Sequence, residues 1–551
     1  MRLLFIVLFI TATLKGFSQD TISVVLSPYA RGYKIPSDFV GLSFEKNSLN
    51  KAIFAPSKDT LIRLFQTLGI KSVRIGGNSV DKDTFSTTAS ATRFTRAELD
   101  SFYLFMQKAD CKVLMGLNFG GDFNPALASD EVSYVMSKYA SNIQGLEVGN
   151  EPDLYHSNGF RPSTYNVDSF EKQYSEYYDA ILLHTPSAVF TGPASAGNYT
   201  TFTLPFCRDM HGKFTMLTQH YYVAKAYSLP TGEQIANLLN STYKTGLLTE
   251  LNALVECADS AKVPFRMAEC NSLYNGGQLG VSDAFASALW ALDYMYASAY
   301  KGCEGVNFHG GVSGAYTPLS YKNFLYSLRP IGYGILAFQA GSKGWFIPSN
   351  VSGNHINLSI YNTIDSLKNI YTTIVNKDTS EDALIKLDAG SNSYLTASYI
   401  SLTAPFLADT INVSIGGQKV TSYGTCQPYN WQDLNVSANK IQLLVPKGSA
   451  TMIHFREDSL SGINQKRTSI ATNDNVQVYP NPSTDKFTIA LQMPAINISI
   501  EIYNSTGQKI KNITFNNISK LDINTSEFNK GIYYVRVISE ATTSTAKVII
   551  E

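Results

Sequence analysis

Short apolar runs alternate with stretches of helical spacing between residues 36 and 345, and each run ends in a polar residue. Near-continuous apolar strands that alternate with helices are typical of parallel strands buried on both faces. The eight predicted strands are residues 39–45, 72–78, 112–118, 144–150, 189–195, 216–222, 265–269 and 305–309. Eight such units predict a (β/α)8 barrel. A doubly wound open sheet is the alternative, but it usually has fewer strands and often a glycine-rich phosphate loop, which is missing here.

Helical spacing is clearest in three of the stretches between strands, at residues 59–67, 96–109 and 283–300. Apolar side chains recur there on one face, as in helices that cover a barrel. We therefore interpret the Met and aromatic residues of the third stretch as core packing.

The pattern changes after Trp345, where short segments alternate polar and apolar residues between turns. This pattern is typical of a β-sandwich, which we expect over 346–458 with a further N-terminal strand from 19–35. Residues 459–475 are polar and predict a linker. A small all-β module is expected from 476 to 551. The sandwich strands are predicted at 355–361, 369–375, 394–401, 411–415 and 441–445, joined by residues 21–26.

The first eighteen residues predict an export signal. Arg2 precedes an apolar run from 3 to 10, and small residues lead to Ser18. The run is too short for a stable membrane anchor. No other window holds about 18 unbroken apolar residues, so we predict no transmembrane segment.

Charge and composition restrict the classes of ligand that we expect this protein to bind. The chain has 551 residues, with 44 Lys+Arg and 44 Asp+Glu. This balance argues against nucleic acid as a partner, because no basic excess is present to neutralise phosphates. Aromatic residues make up 12% of the chain, which suits carbohydrate ligands that stack on rings, but also a tyrosine-rich sheet surface.

The six cysteines are widely and irregularly spaced, without a Cys-x-x-Cys motif. This spacing indicates neither a disulfide framework nor a zinc site. We expect most of them to be isolated buried thiols, including Cys270.

Polar residues at the strand ends predict a functional site. The carboxyl ends of barrel strands meet at one face, which carries the active site in this fold. Desolvating so many polar groups is costly unless a ligand or a network satisfies them. The residues are Glu45, Asn78, Asn118, Asn150, Glu151, Ser195, His220, Tyr222, Glu269 and His309.

Glu151 and Glu269 are the two carboxylates that we expect to carry chemistry. Glycosidic cleavage needs one carboxyl group to protonate the leaving oxygen and a second to meet the oxocarbenium ion. A separation of about 5–5.5 Å implies retention and about 6.5–9.5 Å implies inversion. We predict a structural role for Glu147. His156, His220 and His309 lack metal-ligand spacing, so we expect neither a catalytic metal nor another cofactor.

Five segments in order carry a resemblance to glycoside hydrolase family 79, the β-glucuronidase and heparanase family of the retaining (β/α)8 clan. The resemblance covers about residues 20–458. The segments are GLSFE at 41–45, VRIGGNS at 73–79, VGNEPD at 148–153, AECNS at 268–272 and GAYTP at 314–318.

The resemblance implies a role for each matching position. Glu151 is expected as the acid/base and Glu269 as the nucleophile, with Tyr222 or its neighbour Tyr221 touching Glu269. The expected substrate-binding residues are Glu45 and Asn78 for ring hydroxyls, Asn150 for the 2-hydroxyl, and Tyr274, Gly276 and Tyr316 for a carboxylate. Tyrosine hydroxyls and a glycine N–H are neutral donors. They can bind a carboxylate without adding a cation that would keep Glu151 ionised.

The tail resembles the C-terminal sorting domain of type IX secretion substrates. The matching segments are VYPNP at 478–482, IYNSTG at 502–507 and KGIYYVRV at 530–537. The resemblance implies passage through the periplasm, recognition by the type IX machinery, and release or surface attachment. A small adhesive or carbohydrate-binding module is the alternative.

Together these features predict a secreted, retaining, exo-acting β-glucuronidase that acts on carbohydrates containing glucuronic acid. One alternative is an endo-acting uronidase on glycosaminoglycan-like chains, which would want basic residues along a cleft. Others are a clan member that acts on neutral pentosides and a catalytically inactive polysaccharide-binding protein.

Overall fold

The structure is a computed structural model that describes residues 21–312, 314–323, 325–390, 394–426, 429–457, 476–538 and 543–551. The expected export signal (1–18) and linker (459–475) lie outside the described residues. The chain divides into two compact units, residues 1–458 and 459–551.

Eight parallel strands close into a barrel in the first unit, which confirms the predicted fold class. The strands, from first to eighth, are Val40–Glu45, Ser72–Gly76, Lys112–Leu117, Ile143–Val148, Phe190–Ser195, Met216–Lys225, Phe265–Tyr274 and Val306–His309. The second and fourth strands end earlier than the sequence predicts, so Asn78, Asn150 and Glu151 lie in the loops that follow. The sixth and seventh strands run on beyond Tyr222 and Glu269 into the face that carries the site.

Helices cover the barrel. They are Asp59–Thr67, Arg96–Ala109, Pro125–Tyr139, Val167–His184, Leu204–Asp209, Thr231–Leu238, Ser241–Ala261, Phe285–Tyr300 and Pro330–Gly341. The second begins with a capping box, in which Thr95 and Glu98 each satisfy backbone N–H groups of the first turn.

One helix differs from its predicted role as an amphipathic cover. In Phe285–Tyr300 every residue except the last is buried. A helix that is apolar all round is one that is enclosed on all sides. It packs between the barrel and the sandwich, against Pro330–Gly341 and the strand Ile370–Asn376.

Two sheets form the sandwich after the barrel. The N-terminal strand Thr21–Leu26 pairs parallel to Ala383–Asp388 and antiparallel to Ser349–Ser352. The first sheet contains Ser349–Ser352, Thr21–Leu26, Ala383–Asp388 and Lys440–Val445. The second contains Trp345–Phe346, Leu358–Ile364, Ile370–Asn376, Ser449–Glu457, Tyr394–Thr403, Ser414–Ile415 and Gln432–Leu434.

A buried ion cluster joins the barrel to the sandwich. Asp293, on the helix Phe285–Tyr300, accepts from Lys244 Nζ at 2.9 Å and from Lys377 Nζ at 2.6 Å. The Tyr361 hydroxyl of the sandwich donates to the same carboxylate at 2.6 Å. Burial alone would raise the pKa of Asp293, but the two lysines hold it well below its usual range.

Cys207 and Cys257 form a disulfide between the helices Leu204–Asp209 and Ser241–Ala261. The spacing of the cysteines did not indicate this pair. Cys111, Cys270 and Cys303 are free and buried, in line with the expectation of isolated thiols.

The second unit is all β. Its strands are Val476–Tyr479, Lys486–Asn504, Lys509–Asn524, Gly531–Ile538 and Thr543–Ile550, and adjacent strands run antiparallel. Ile489, Ile500 and Val535 belong to a hydrophobic core of its own. Within the described residues of both units, no helix is long and apolar enough to cross a membrane.

Candidate active site

A cavity of about 670 Å³ opens where the barrel strands end. Eight of the nine predicted site residues line it, and Asn150, the ninth, is buried and adjoins the lining residue Asn78. The lining residues are Glu45, Asn78, Glu151, Leu154, Asn158, Ala196, Gly197, Asn198, Tyr222, Glu269, Tyr274, Asn275, Gly276, His309 and Tyr316.

The turn after the fourth strand places Glu151 in the cavity. Glu151 has a left-handed backbone (φ 51°) and precedes a 3-10 turn, Pro152–Leu154. Its N–H donates to the Ala194 carbonyl oxygen at 2.9 Å. A non-glycine residue adopts this conformation at a cost that the surroundings must offset, as is common at functional sites.

Asp81 supports this turn through hydrogen bonds. It was not predicted from the sequence as a residue of the site. Its buried carboxylate accepts from the Tyr155 hydroxyl at 2.9 Å and from the Gly120 N–H at 2.8 Å. It also accepts from the Asn150 N–H at 3.3 Å. Burial raises the pKa of Asp81 to about 6 despite these bonds. The network fixes the backbone immediately before Glu151.

Glu269 lies within the seventh strand, where the pairing with the sixth strand shifts register between Met267 and Glu269. Such irregularities re-aim side chains next to active sites. Its carboxylate accepts from the Tyr222 hydroxyl at 2.8 Å and from Arg74 Nη1 at 2.7 Å. Glu269 is thus held by two donors and faces the cavity.

The structure decides between the two adjacent tyrosines. Tyr222 contacts Glu269, whereas the Tyr221 ring stacks on Tyr294 at a centroid distance of 5.6 Å. Neighbouring residues of a strand point to opposite faces, so only Tyr222 faces the cavity.

Arg74 is a residue of the site that the sequence pattern did not predict. It is fully buried in the second strand and donates to Glu147 at 2.5 Å, Glu269 at 2.7 Å and Asn150 at 3.0 Å. The signal was a lone cation in the otherwise apolar run 72–76. A buried charge needs such partners, and Glu147 has the structural role expected of it.

His220 contacts Glu151, with Nδ1 3.0 Å from Oε1. Burial lowers the pKa of His220 to about 4, so its ring is neutral near pH 7. Burial also raises the pKa of Glu151, although Arg74 and His309 partly oppose this shift. Arg74 thus places a cation in the site, yet burial still favours a protonated Glu151.

His309 lies at the end of the eighth strand, near Glu45. Its Nε2 is 3.4 Å from Glu45 Oε1, and the Ser79 N–H donates to the other oxygen at 2.7 Å. Burial would raise the pKa of Glu45, but His309 and Ser79 lower it to about 2. His156, by contrast, is exposed and does not line the cavity.

One oxygen of Glu151, one oxygen of Glu269 and one nitrogen of His220 all lie within 4.8 Å of one another. Such a group could hold a metal ion, but Arg74 already places a cation against Glu269. The absence of a catalytic metal stays a prediction.

Three residues form one wall of the cavity at the expected carboxylate site. Tyr274 is 43% exposed, while Tyr316 is buried with its ring 6.3 Å from that of Tyr222. Gly276 has a φ of 84°, and nothing lies within 4 Å of the position of an added Cβ. Among the described lining residues there is no lysine or arginine.

A known protein family matches the C-terminal tail of the chain. Residues 477–551 match the model of the secretion system C-terminal sorting domain. The second unit is therefore this domain, which implies export to the cell surface or secretion.

Two curated proteins are similar to this chain in sequence. A β-glucuronidase from Neurospora crassa is 27% identical over 188 residues, 30% of this chain and 34% of that protein. A β-glucuronidase from Aspergillus niger is 22% identical over 301 residues, 47% of this chain and 53% of that protein. The chain thus matches about a third of one relative's length and about half of the other's.

Solved structures share the fold. A 4-O-α-L-rhamnosyl-β-D-glucuronidase from Fusarium oxysporum has a TM-score of 0.67 at 18% identity, covering 78% of this chain and 99% of that one. A family 51 α-L-arabinofuranosidase from Bifidobacterium longum has a TM-score of 0.62 at 14% identity, covering 80% and 100%. The fold is that of the (β/α)8 glycoside hydrolases. The sequence is similar to β-glucuronidases.

Proposed function

We propose that this protein is an exported, retaining β-glucuronidase that removes terminal glucuronic acid. The observation that carries the proposal is the pair Glu151 and Glu269, whose oxygens approach within 4.8 Å in one cavity. This separation is that of retaining glycosidases, since inversion needs about 6.5–9.5 Å to admit a water between the carboxyl groups. The similarity to two β-glucuronidases supports the substrate class.

In the first step Glu151 acts as the acid and Glu269 as the nucleophile. Burial favours the protonated form of Glu151 by raising its pKa, while Arg74 and Tyr222 hold the Glu269 carboxylate. Glu151 protonates the glycosidic oxygen as its bond to the anomeric carbon breaks, and Glu269 forms an ester with that carbon. In the second step Glu151 takes a proton from water, which displaces Glu269 and restores the starting configuration.

The substrate carboxylate is proposed to lie against Tyr274, Tyr316 and the Gly276 N–H. Glu45 and Asn78 line the same cavity and are proposed to bind ring hydroxyls. Asn150 is held by Arg74 and is proposed to bind the 2-hydroxyl. These are the roles that the resemblance to glycoside hydrolase family 79 implies, and the cavity that most of these residues share supports them.

Exo action is supported by the form and charge of the cavity. A volume of about 670 Å³ is that of a small-molecule site. Among the described lining residues no lysine or arginine is present to follow an anionic chain. The sorting domain at 477–551 supports export by the type IX machinery, followed by release or surface attachment.

A hydrolysis panel with stereochemistry tests the proposal. Aryl β-glucuronide, β-glucoside, β-galactoside and β-xyloside are compared by kcat/KM, and the first anomer formed is read by proton NMR. We expect a preference for the glucuronide of about 10⁴, with the β-anomer first. Preference for a neutral glycoside contradicts the uronidase assignment, and an α-anomer contradicts retention. Binding of a polysaccharide without any hydrolysis would favour an inactive binding protein.

A further inference from the structure

His309 ends the eighth barrel strand with both ring nitrogens facing carboxylates. Nε2 lies 3.4 Å from Glu45 Oε1, and Nδ1 lies 3.4 Å from Glu269 Oε2. Nδ1 is also 2.9 Å from the Ser43 hydroxyl. An imidazole donates from both nitrogens only when both are protonated. The side chain is 6% exposed, so the carboxylates rather than water stabilise a charge on it.

Charged and titratable groups surround this ring from several elements. They are Glu45, Arg74, Glu151, His220, Glu269 and Tyr316. Burial lowers the pKa of His309 and Arg74 lowers it further, but Glu269 and Glu45 raise it, so that it lies above its ordinary value. His220 does not compete as a cation, since its own pKa is lowered to about 4.

If His309 were neutral, the carboxylates at the base of the cavity would outnumber the cations there. Arg74 is shared between Glu147 and Glu269, so Glu45 relies on His309 for a neighbouring positive charge. A sugar carboxylate that enters this space meets repulsion that is poorly screened in a buried site. A cation between Glu45 and Glu269 reduces that excess and places a positive charge next to both carboxylates.

We propose that His309 is a positioning residue that joins Glu45 to Glu269 and supplies the positive charge that lets an anionic sugar bind beside these two carboxylates. The inference rests on the proposed function and adds a cause for the acceptance of uronates. His309 acts through Glu45 and Glu269 and does not itself take part in bond breaking.

Two kinetic signatures follow. His309→Gln keeps hydrogen-bonding capacity and removes the charge, so kcat/KM for the aryl β-glucuronide at pH 6 should fall about 10- to 100-fold, the size of a hydrogen bond to a charged group. Most of the loss should appear as a raised KM, and the neutral β-glucoside should be affected less. In the wild type, KM for the glucuronide should rise as the pH passes the His309 pKa, and the variant should lack this step.

Nitrogen-15 NMR of histidine-labelled protein reads the charge directly and needs no turnover. The His309 signals are assigned by their loss in His309→Gln. Both nitrogens should be protonated at pH 6 and titrate above the usual range of histidine. His454→Gln is the matched control, because His454 lies in the sandwich stacked on Tyr371; it should leave the kinetics and the His309 signals unchanged.

A neutral His309 ring at pH 6 overturns the proposal, and so does an unchanged KM in His309→Gln. If His309→Gln does not fold, Ser43→Ala is the second variant, because it removes one contact of Nδ1 and retains the charge on His309. The ring should then still titrate as a cation, and the rise of KM with pH should persist. Loss of the titration and of the KM rise contradicts the proposal. A wild type that hydrolyses only neutral glycosides contradicts the proposed function instead, and the NMR titration then decides whether His309 carries the charge.

Discussion

The Tyr222 hydroxyl donates a 2.8 Å hydrogen bond to Oε1 of Glu269, while Arg74 occupies the other oxygen of that carboxylate. The two donors fix the direction of the Glu269 carboxylate. In the proposed mechanism, a nucleophile held in this way would lose little freedom when it attacks the anomeric carbon.

Tyr222→Phe removes this hydroxyl and keeps the ring. We expect kcat for the aryl β-glucuronide to fall about 10- to 100-fold, the size of a hydrogen bond to a charged group. Tyr221→Phe is the matched control, because Tyr221 stacks on Tyr294 away from the cavity. Equal losses in both variants would place the effect in packing instead of in Glu269.

Glu151→Ala removes the proposed acid. We expect alkyl glucuronides to lose about 10²- to 10⁴-fold in kcat/KM, and activated aryl glucuronides much less, because a good leaving group needs no proton. Azide should partly rescue the aryl substrate. Wild-type kcat/KM should fall as the pH rises through the Glu151 pKa, which burial raises. On aryl substrates the variant should lack this fall in kcat/KM. If the fall persists in the variant, a group other than Glu151 causes it.

Tyr316→Phe tests the proposed carboxylate site. Loss of one donor should lower kcat/KM for the β-glucuronide by about 1.5–3 kcal/mol and leave the slow β-glucoside reaction almost unchanged. Both substrates are measured on the wild type and the variant, so the glucoside is an internal control. An equal decrease for both would make Tyr316 a packing residue.

Removal of residues 476–551 should leave kcat/KM of the purified enzyme unchanged. The two units are separately compact, and the sorting domain has its own core. In the native host the truncated protein should fail to reach the cell exterior. A well-folded truncated protein that is inactive would show that the tail contributes to the site.

Asp293→Asn should destabilise the first unit by about 3–5 kcal/mol, because the buried Lys377 and the partly buried Lys244 would lose their counterion. The pKa of Asp293 is lowered in the folded state. Its contribution is therefore present above the unfolded pKa and is lost as the pH falls through the folded one. Urea unfolding between pH 3 and 7 should show a weaker pH dependence in the variant.

Asp110→Asn is the control for this measurement. Asp110 pairs with Lys71 at the surface, with its side chain 83% exposed, and such pairs contribute little. Similar stability losses in both variants would argue against the buried cluster as the cause.

The barrel and the two carboxylates could be predicted from the sequence because they depend on local patterns. Parallel strands buried on both faces appear as short apolar runs, and the strand ends of a barrel meet at one face. Glu151 follows such a run, and Glu269 is the last residue of the predicted run 265–269. The pattern did not show that the seventh strand continues to Tyr274.

Tertiary structure alone decided which side chains face each other. Arg74 lies within an apolar run. Its charge is paired only because closure of the barrel brings Glu147 and Glu269 next to it. Cys207 and Cys257 are 50 residues apart and meet because two helices pack together. The helix Phe285–Tyr300 is enclosed only once the sandwich lies against the barrel.

The sequence by itself determined the elements, the order of the strands and the chemical types at their ends, since these follow from hydrophobic period and chain order. Only the fold decided that Tyr222 rather than Tyr221 reaches Glu269, and that His309 lies between Glu45 and Glu269. Side-chain direction depends on strand register and closure, and charge depends on neighbours that lie more than two hundred residues away in the chain, as Glu45 does from His309.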